Sequence, residues 1–218
     1  MPKVHPNPNA ADHPSPAAED HEEPPPTVLT VWRKSLLFNC DGFTVFDARG
    51  DLAFRVDCYG SGRHTEVVLM DAAGKPLLTV RRKRSFLALE HWVIYDGDAA
   101  AARRAKPLLS VRRHVSLRAS SNKTVAHVTP VAASAADAFF VVEGSYGRRA
   151  CAVRDARGDA VAQVQRKELP VGDQVFRLVA DPRLGAALAM GLVIALDDMF
   201  RGGGRGAARS LLRRTWSV

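Results

Sequence analysis

Leu184-Gly-Ala-Ala-Leu-Ala-Met-Gly-Leu-Val-Ile-Ala-Leu196 is thirteen residues without a charge or a strong polar group. A helix of that composition is greasy all round, so it must be wrapped by protein or by lipid. At about 1.5 Å per residue it reaches roughly 20 Å. A bilayer core needs about 20 residues, or roughly 30 Å, so the stretch is too short to span one. Asp181 is a good N-cap and Pro182 suits the first helical position, and Asp197 and Asp198 follow the apolar run. The small residues Gly185, Ala186, Ala187, Ala189, Gly191 and Ala195 let surrounding backbone come close. The expected solution is a helix threaded through a closed β-barrel, with Leu184, Leu188, Leu192 and Leu196 as its core leucines.

What precedes the helix reads as short strands. Asp47-Ala-Arg-Gly50, Asp71-Ala-Ala-Gly74 and Asp155-Ala-Arg-Gly158 repeat one spacing, with a valine nine residues after each Asp: Val56, Val80 and Val164. Each unit predicts a β-hairpin. The Asp accepts backbone hydrogen bonds inside the turn, and the Gly supplies the positive-φ position. After the third turn Ala160, Ala162 and Val164 alternate with Val161, Gln163 and Gln165. Further strands are expected at Val28–Lys34, Glu90–Tyr95, Leu108–Arg112, Thr124–Val128, Phe139–Gly144 and Gln174–Ala180. With the six hairpin strands this makes twelve, at the spacing of a barrel or sandwich.

Two flanks differ from this body. Residues 1–26 are Pro-rich and acidic, with Lys3 against Asp12, Glu19, Asp20, Glu22 and Glu23. They hold too little apolar surface to offset ordering entropy, so a disordered leader is expected. Residues 201–218 form a Gly/Arg-rich basic tail that is expected to be mobile, leaving 27–200 as the barrel domain. The net charge of +8 therefore sits on the body and tail. A basic body attracts nucleic acid, an anionic membrane or acidic partners. Nucleic acid is the weakest of these, because aromatics make up only 7% of the chain and none interleave with the arginine runs. Met1-Pro-Lys-Val-His-Pro6 has no apolar signal core and Pro2 excludes myristoylation. A cytoplasmic protein is expected, with a nuclear or membrane-peripheral place as the variants. Cys40, Cys58 and Cys151 are odd in number and contain no Cys-x-x-Cys pair, so they read as free thiols.

Catalytic signals are poor. His64, His91, His114 and His127 lack metal-ligand spacing, and His5, His13 and His21 sit in the leader. Gly60-Ser-Gly62 is not a nucleophile elbow. The Asp-x-x-Gly turns offer too few oxygens for calcium. No enzyme, metal or cofactor is expected, and the chain is expected to be a monomer. The binding candidates are Arg81, Arg82, Lys83 and Arg84, then Arg103, Arg104 and Lys106 before the strand Leu108–Arg112, and Arg112 and Arg113 at its end, expected to gather at one rim. Strand alternation sends Arg81 and Lys83 outward if Val80 points in. Phosphorylated headgroups want several such side chains converging. In the tail, Arg205, Arg209, Arg213 and Arg214 beside Leu211, Leu212 and Trp216 suit an anionic interface.

The segments Leu29-Thr-Val-Trp-Arg-Lys-Ser35, Asn39-Cys-Asp-Gly-Phe-Thr-Val-Phe-Asp47 and Val67-Val-Leu-Met-Asp71 resemble the plant LURP-one-related family. So do Val161-Ala-Gln-Val-Gln-Arg-Lys167, Gly172-Asp-Gln-Val-Phe176 and Met190-Gly-Leu-Val-Ile-Ala-Leu-Asp197. The resemblance covers about residues 27–200. It implies the fold of the tubby C-terminal domain and the phospholipid scramblases, a twelve-stranded barrel around a hydrophobic C-terminal helix. It also implies a link of some members to plant defence. Phosphoinositide binding comes from the tubby relatives only, since the chain lacks a residue-by-residue match to their lipid cluster. The cysteine cluster and calcium loop of the scramblases are absent from it too. A lipid-docking module and a protein-interaction scaffold without a lipid ligand therefore stand as the two readings.

Overall fold

The computed structural model describes residues 24–37, 41–58, 66–84, 90–114, 123–131, 139–167 and 174–201. The readings of the leader before residue 24, of the tail after residue 201, and of His64, Ser61 and Cys40 lie outside the described residues. So do the side chains of Cys58 and Arg84.

Twelve strands form one antiparallel barrel. They are β1 Thr27–Trp32, β2 Asp41–Phe46, β3 Leu52–Cys58, β4 Glu66–Asp71, β5 Pro76–Arg84 and β6 Glu90–Asp96. Then come β7 Leu109–Arg113, β8 Thr124–Pro130, β9 Phe140–Ser145, β10 Ala150–Arg154, β11 Ala160–Arg166 and β12 Val175–Ala180. Each strand pairs with its sequence neighbours, and β1 closes on β12 with Thr27 opposite Ala180 and Trp32 opposite Val175. Closure leaves no free edge.

The three repeated turns form as their residues require. Gly50, Gly74 and Gly158 have φ of 88°, 86° and 90°. Asp47 Oδ1 accepts from the backbone N–H of Arg49 and Asp51 at 2.8 and 2.9 Å. Asp155 repeats this with Arg157 and Asp159 at 2.9 and 2.9 Å. A register shift sits beside every one of these turns, at Val45/Phe46, Leu69/Met70 and Val153/Arg154. The valine of each repeat is buried: Val56, Val80 and Val164. In β11, Val161 is buried alongside Ala162 and Val164, so its outward face is not wholly exposed.

The apolar run becomes α2, Ala186–Arg201. It begins five residues after Asp181 and continues past Asp197 and Asp198. Asp181 caps a turn instead, its backbone carbonyl accepting from Leu184 and Gly185 at 3.1 and 3.0 Å. The cause is Gly185, whose φ of 80° is left-handed and cannot continue a right-handed helix from Pro182. Leu184, Leu192 and Leu196 are buried, and Leu188 is half-buried at the edge of the core. A Cβ added at Gly191 would lie 3.3 Å from Leu78 Cδ1 and 3.4 Å from Ile94 Cδ1, so this glycine brings the helix close to β5 and β6. No helix among the described residues is long and apolar enough to cross a membrane.

One short element was not legible in advance. Helix α1, Ala99–Ala102, is capped by Asp98, whose Oδ1 accepts from Ala101 N at 2.7 Å. It covers Val93 and Tyr95, which point out of the barrel yet are buried beneath Ala102.

Because neighbours in the barrel are neighbours in sequence, its connections alternate between two ends. The Asp-x-x-Gly turns, α1 and the start of α2 share one, the turn end. The connections after β1, β3, β5, β7, β9 and β11 share the other, the loop end, where α2 terminates.

Candidate functional site

Arg103, Arg104 and Lys106 lie exposed after α1 at the turn end, away from the rest; the loop end carries the other basic candidates, but the β-pleat divides them. Arg81 and Lys83 point outward and flank the Tyr95 ring at 5.3 and 5.4 Å. Arg81 also pairs with Glu66, Nε to Oε2 at 2.7 Å. Its charge is thus engaged, while Lys83 is exposed. Arg82 points inward, Nη1 lying 3.8 Å from Asp198 Oδ2. Arg112 is exposed on the outer wall. Arg113, its neighbour, turns to the rim over the Phe200 ring at 5.3 Å. At the loop end the expected single patch is therefore two sets with different surroundings, one on the wall and one around the helix end. The side chain of Arg84 lies outside the described residues.

On the wall, register assembles a row. Lys83 lies opposite His91, His91 opposite Arg112, and Arg112 opposite His127. Directly paired residues put side chains on the same face about 5 Å apart. His114 joins the row, its Nδ1 lying 3.0 Å from His127 Nε2. Burial and then the charge of His114 hold the His127 imidazole below its usual range. Histidines and cations alternate here across β5, β6, β7 and β8, a pattern that strand-by-strand reading does not show.

At the loop end, most exposed charges are cations: Lys34, Lys83, Arg112, Arg113, Lys123 and Arg148. Of the acids there, Asp41 is exposed and Glu143 is paired with Arg154, while two others are withdrawn. Asp57 and Asp197 keep only 2% and 5% of their side chains exposed. At the turn end, by contrast, Arg49 sits between Asp47 and Asp51, and Arg183 between Asp155 and Asp181. The Arg183 hydrogen bond holds the Asp181 carboxyl below its usual range. The barrel is therefore electrically polar along its axis.

Inside the loop end lies a network that was not anticipated. Arg33 Nε donates to Asp197 Oδ2 at 3.1 Å. Tyr146 Oη donates to Asp197 Oδ1 at 3.4 Å, and Arg149 Nη2 lies 3.9 Å from that oxygen. Trp92 Nε1 donates to Asp198 Oδ2 at 2.8 Å. Arg149 is boxed between the Tyr146 and Phe176 rings at 4.5 and 4.3 Å, from a backbone at φ 53°. Such a conformation costs about 1 to 2 kcal/mol outside glycine, and the box of rings and carboxylate offsets it. Burial and Asp197 together push the Tyr146 hydroxyl well above its usual range. The signal was two carboxylates at the end of a helix, where the macrodipole is already negative. Such an end requires cations, and Arg33, Arg82 and Arg149 supply them. The role is structural: these bonds tie the end of α2 to β1, β6 and the β9–β10 connection.

An open cleft of about 500 Å³ lies on the outer wall beside α1, lined by Arg55, Asp57, Val68 and Met70. Arg55 is paired there with Asp57 at 3.0 Å. No group of three or more metal-ligating side chains occurs among the described residues.

The model of one protein family, described as LURP-one-related, matches residues 27–197. The chain belongs to the LURP-one-related family. Among its relatives in Arabidopsis thaliana, Protein LURP-one-related 8 is 41% identical over 80% of this chain and 87% of that protein. Protein LURP-one-related 5 is 41% identical over 79% of this chain and 82% of that protein. A crystal structure of an Arabidopsis thaliana protein has the same fold, with a TM-score of 0.55 and 24% identity over 80% of this chain and 93% of that one. The LURP-one-related match runs from β1 to Asp197, so it takes in both Arg33 and the carboxylate that Arg33 holds.

Proposed function

We propose that this LURP-one-related chain is a non-catalytic docking module whose loop end seats on an anionic membrane, with phosphorylated lipid headgroups as the ligand. The observation that carries the reading is the outer-wall row Lys83–His91–Arg112–His127, in register across four strands. Lys83 and Arg112 are exposed within it, while the nearby Glu66 is engaged by Arg81. Each Lys or Arg near an anionic surface contributes about 1 kcal/mol, screened by salt. A few convergent cations therefore give weak, salt-sensitive binding, as suits a reversible module. Arg82 is left out of this site, since it serves Asp198.

Vesicle sedimentation tests the reading. The full chain is mixed with phosphatidylcholine vesicles, with and without a phosphoinositide, at low and at physiological salt. Binding is expected with the phosphoinositide and should weaken with salt. Lys83→Glu/Arg112→Glu should remove its salt-sensitive part while leaving the circular dichroism spectrum unchanged. Unchanged binding by this variant would overturn the site, and no binding by the wild type would overturn the function. A stable protein partner retained by the same variant would favour the scaffold reading. The link to plant defence is part of this proposal only as the setting in which such docking would operate.

A further inference from the structure

The loop after β1 inverts the usual burial rule. Among the described residues at its start, the large apolar side chains are outside: Trp32 is 37% exposed, Leu36 52% and Leu37 37%. Two hydroxyls are inside: Ser35 is 5% exposed and Thr44, beneath the loop, 0%. Large exposed apolar residues grouped in one short segment mark an interaction surface more often than chance placement.

The inversion is built in by specific bonds. Ser35 Oγ donates to Asp57 Oδ1 at 2.5 Å and accepts from Leu37 N at 3.1 Å. Thr44 Oγ1 donates to the Lys34 carbonyl at 2.7 Å. The Arg33 backbone N–H donates to the Gln174 carbonyl at 2.8 Å, and its side chain is held by Asp197. With residues 33 and 35 pinned inward, residues 36 and 37 are forced outward. Lys34 lies over the exposed Trp32 ring, its Nζ 5.4 Å from the centroid. An aromatic, two leucines and a lysine on a pre-shaped loop meet the chemistry of a membrane interface: ring and leucines for the acyl boundary, ammonium for the phosphates.

We infer that the loop Trp32–Leu37 is an insertion element, which places Trp32, Leu36 and Leu37 in the headgroup–acyl boundary of an anionic bilayer. This rests on the docking reading above and supplies what charge alone does not: a salt-resistant component of binding. Charge complementarity selects a bilayer as the occupant. The loop lies at the basic end of the barrel, where Lys34, Arg113 and Arg148 are exposed. Its apolar side chains can enter lipid only when that end faces the membrane.

Tryptophan fluorescence with a brominated phosphatidylcholine in phosphoinositide vesicles tests it. Trp216→Phe removes the tail tryptophan, and Trp92 is buried and bonded to Asp198, so Trp32 reports. Quenching on vesicle binding is expected, and it should vanish in Trp32→Phe/Trp216→Phe. Leu36→Ser/Leu37→Ser should lower vesicle affinity at physiological salt about tenfold or more, with an unchanged melting temperature. It should leave most low-salt binding intact, whereas Lys83→Glu/Arg112→Glu should remove the salt-sensitive part and spare quenching of the protein that still binds. Vesicle-bound protein without quenching, or a serine variant that binds as the wild type does, would overturn the insertion and leave the docking reading standing. Wild type that binds no vesicle would overturn both.

Discussion

Replacing Asp197 by Asn keeps the volume of the side chain and removes its charge. In the native barrel this carboxylate receives Arg33 at 3.1 Å, the Tyr146 hydroxyl at 3.4 Å and Arg149 at 3.9 Å. Only 5% of its side chain and 7% of that of Arg149 reach solvent. Removing one partner of a buried ion pair costs about 3 to 5 kcal/mol, because the remaining charge has lost its compensation. Arg33 is 19% exposed and can turn partly to water, which places the expected loss near the lower figure, about 3 kcal/mol. For a domain of this size about 1 kcal/mol shifts the melting temperature by roughly 2 to 4 °C. Asp197→Asn should then melt about 6 to 12 °C below the wild type. Urea unfolding followed by circular dichroism supplies the free energy itself. The double variant Asp197→Asn/Arg149→Met should recover part of the loss, since an apolar side chain in the ring box leaves no uncompensated cation. An Asn variant within about 0.5 kcal/mol of the wild type, the range of an ordinary surface substitution, would refute the account of this network as the neutraliser of the helix end.

Leu192→Asp should yield no folded barrel, because an unpaired charge among fully buried neighbours costs several kcal/mol, and Leu192→Ala should stay folded with a loss of about 3 kcal/mol; a soluble Asp variant with native near-ultraviolet dichroism would mean that α2 is not core. Cys151, whose thiol burial pushes up to about 12, should resist a thiol reagent at neutral pH until denaturant is added, and fast labelling of the native chain at that position would contradict its packing. The histidine row predicts that vesicle binding strengthens as pH falls through the imidazole range, and His114→Gln/His127→Gln should flatten that profile. Stability should move oppositely: His127 takes up its proton less readily folded than unfolded, so its contribution is present above the unfolded value of 6.5 and is lost as pH falls below it. A pH-independent binding curve in the wild type would remove the histidines from the site.

Much of the fold was legible because it is written in local patterns. The Asp-x-x-Gly turns need only a carboxylate, a positive-φ glycine and alternating flanks, and all three lie within ten residues. The helix was legible as core from its length and lack of polar side chains, but its start was displaced by Gly185, since cap signals at Asp181 and Pro182 cannot outweigh one left-handed residue. Helix α1 escaped because four alanine-rich residues carry no periodicity. The candidate site was legible only as a list of cations. Arg81, Arg82 and Lys83 are adjacent in sequence, yet Arg81 meets Glu66, Arg82 meets Asp198 and Lys83 meets the Tyr95 ring.

By itself the sequence determined the strands, the turns between them and the burial of the segment from Leu184 to Leu196. Those depend on neighbours a few residues apart. Tertiary structure alone decided which end of the barrel is basic, which cations face water, and which carboxylates are hidden from them. The pleat reverses a side chain at every residue, and closure brings Arg33 to Asp197 across 164 positions. The Lys83–His91–Arg112–His127 row and the outward-facing Trp32, Leu36 and Leu37 exist only because twelve strands share one register and one axis.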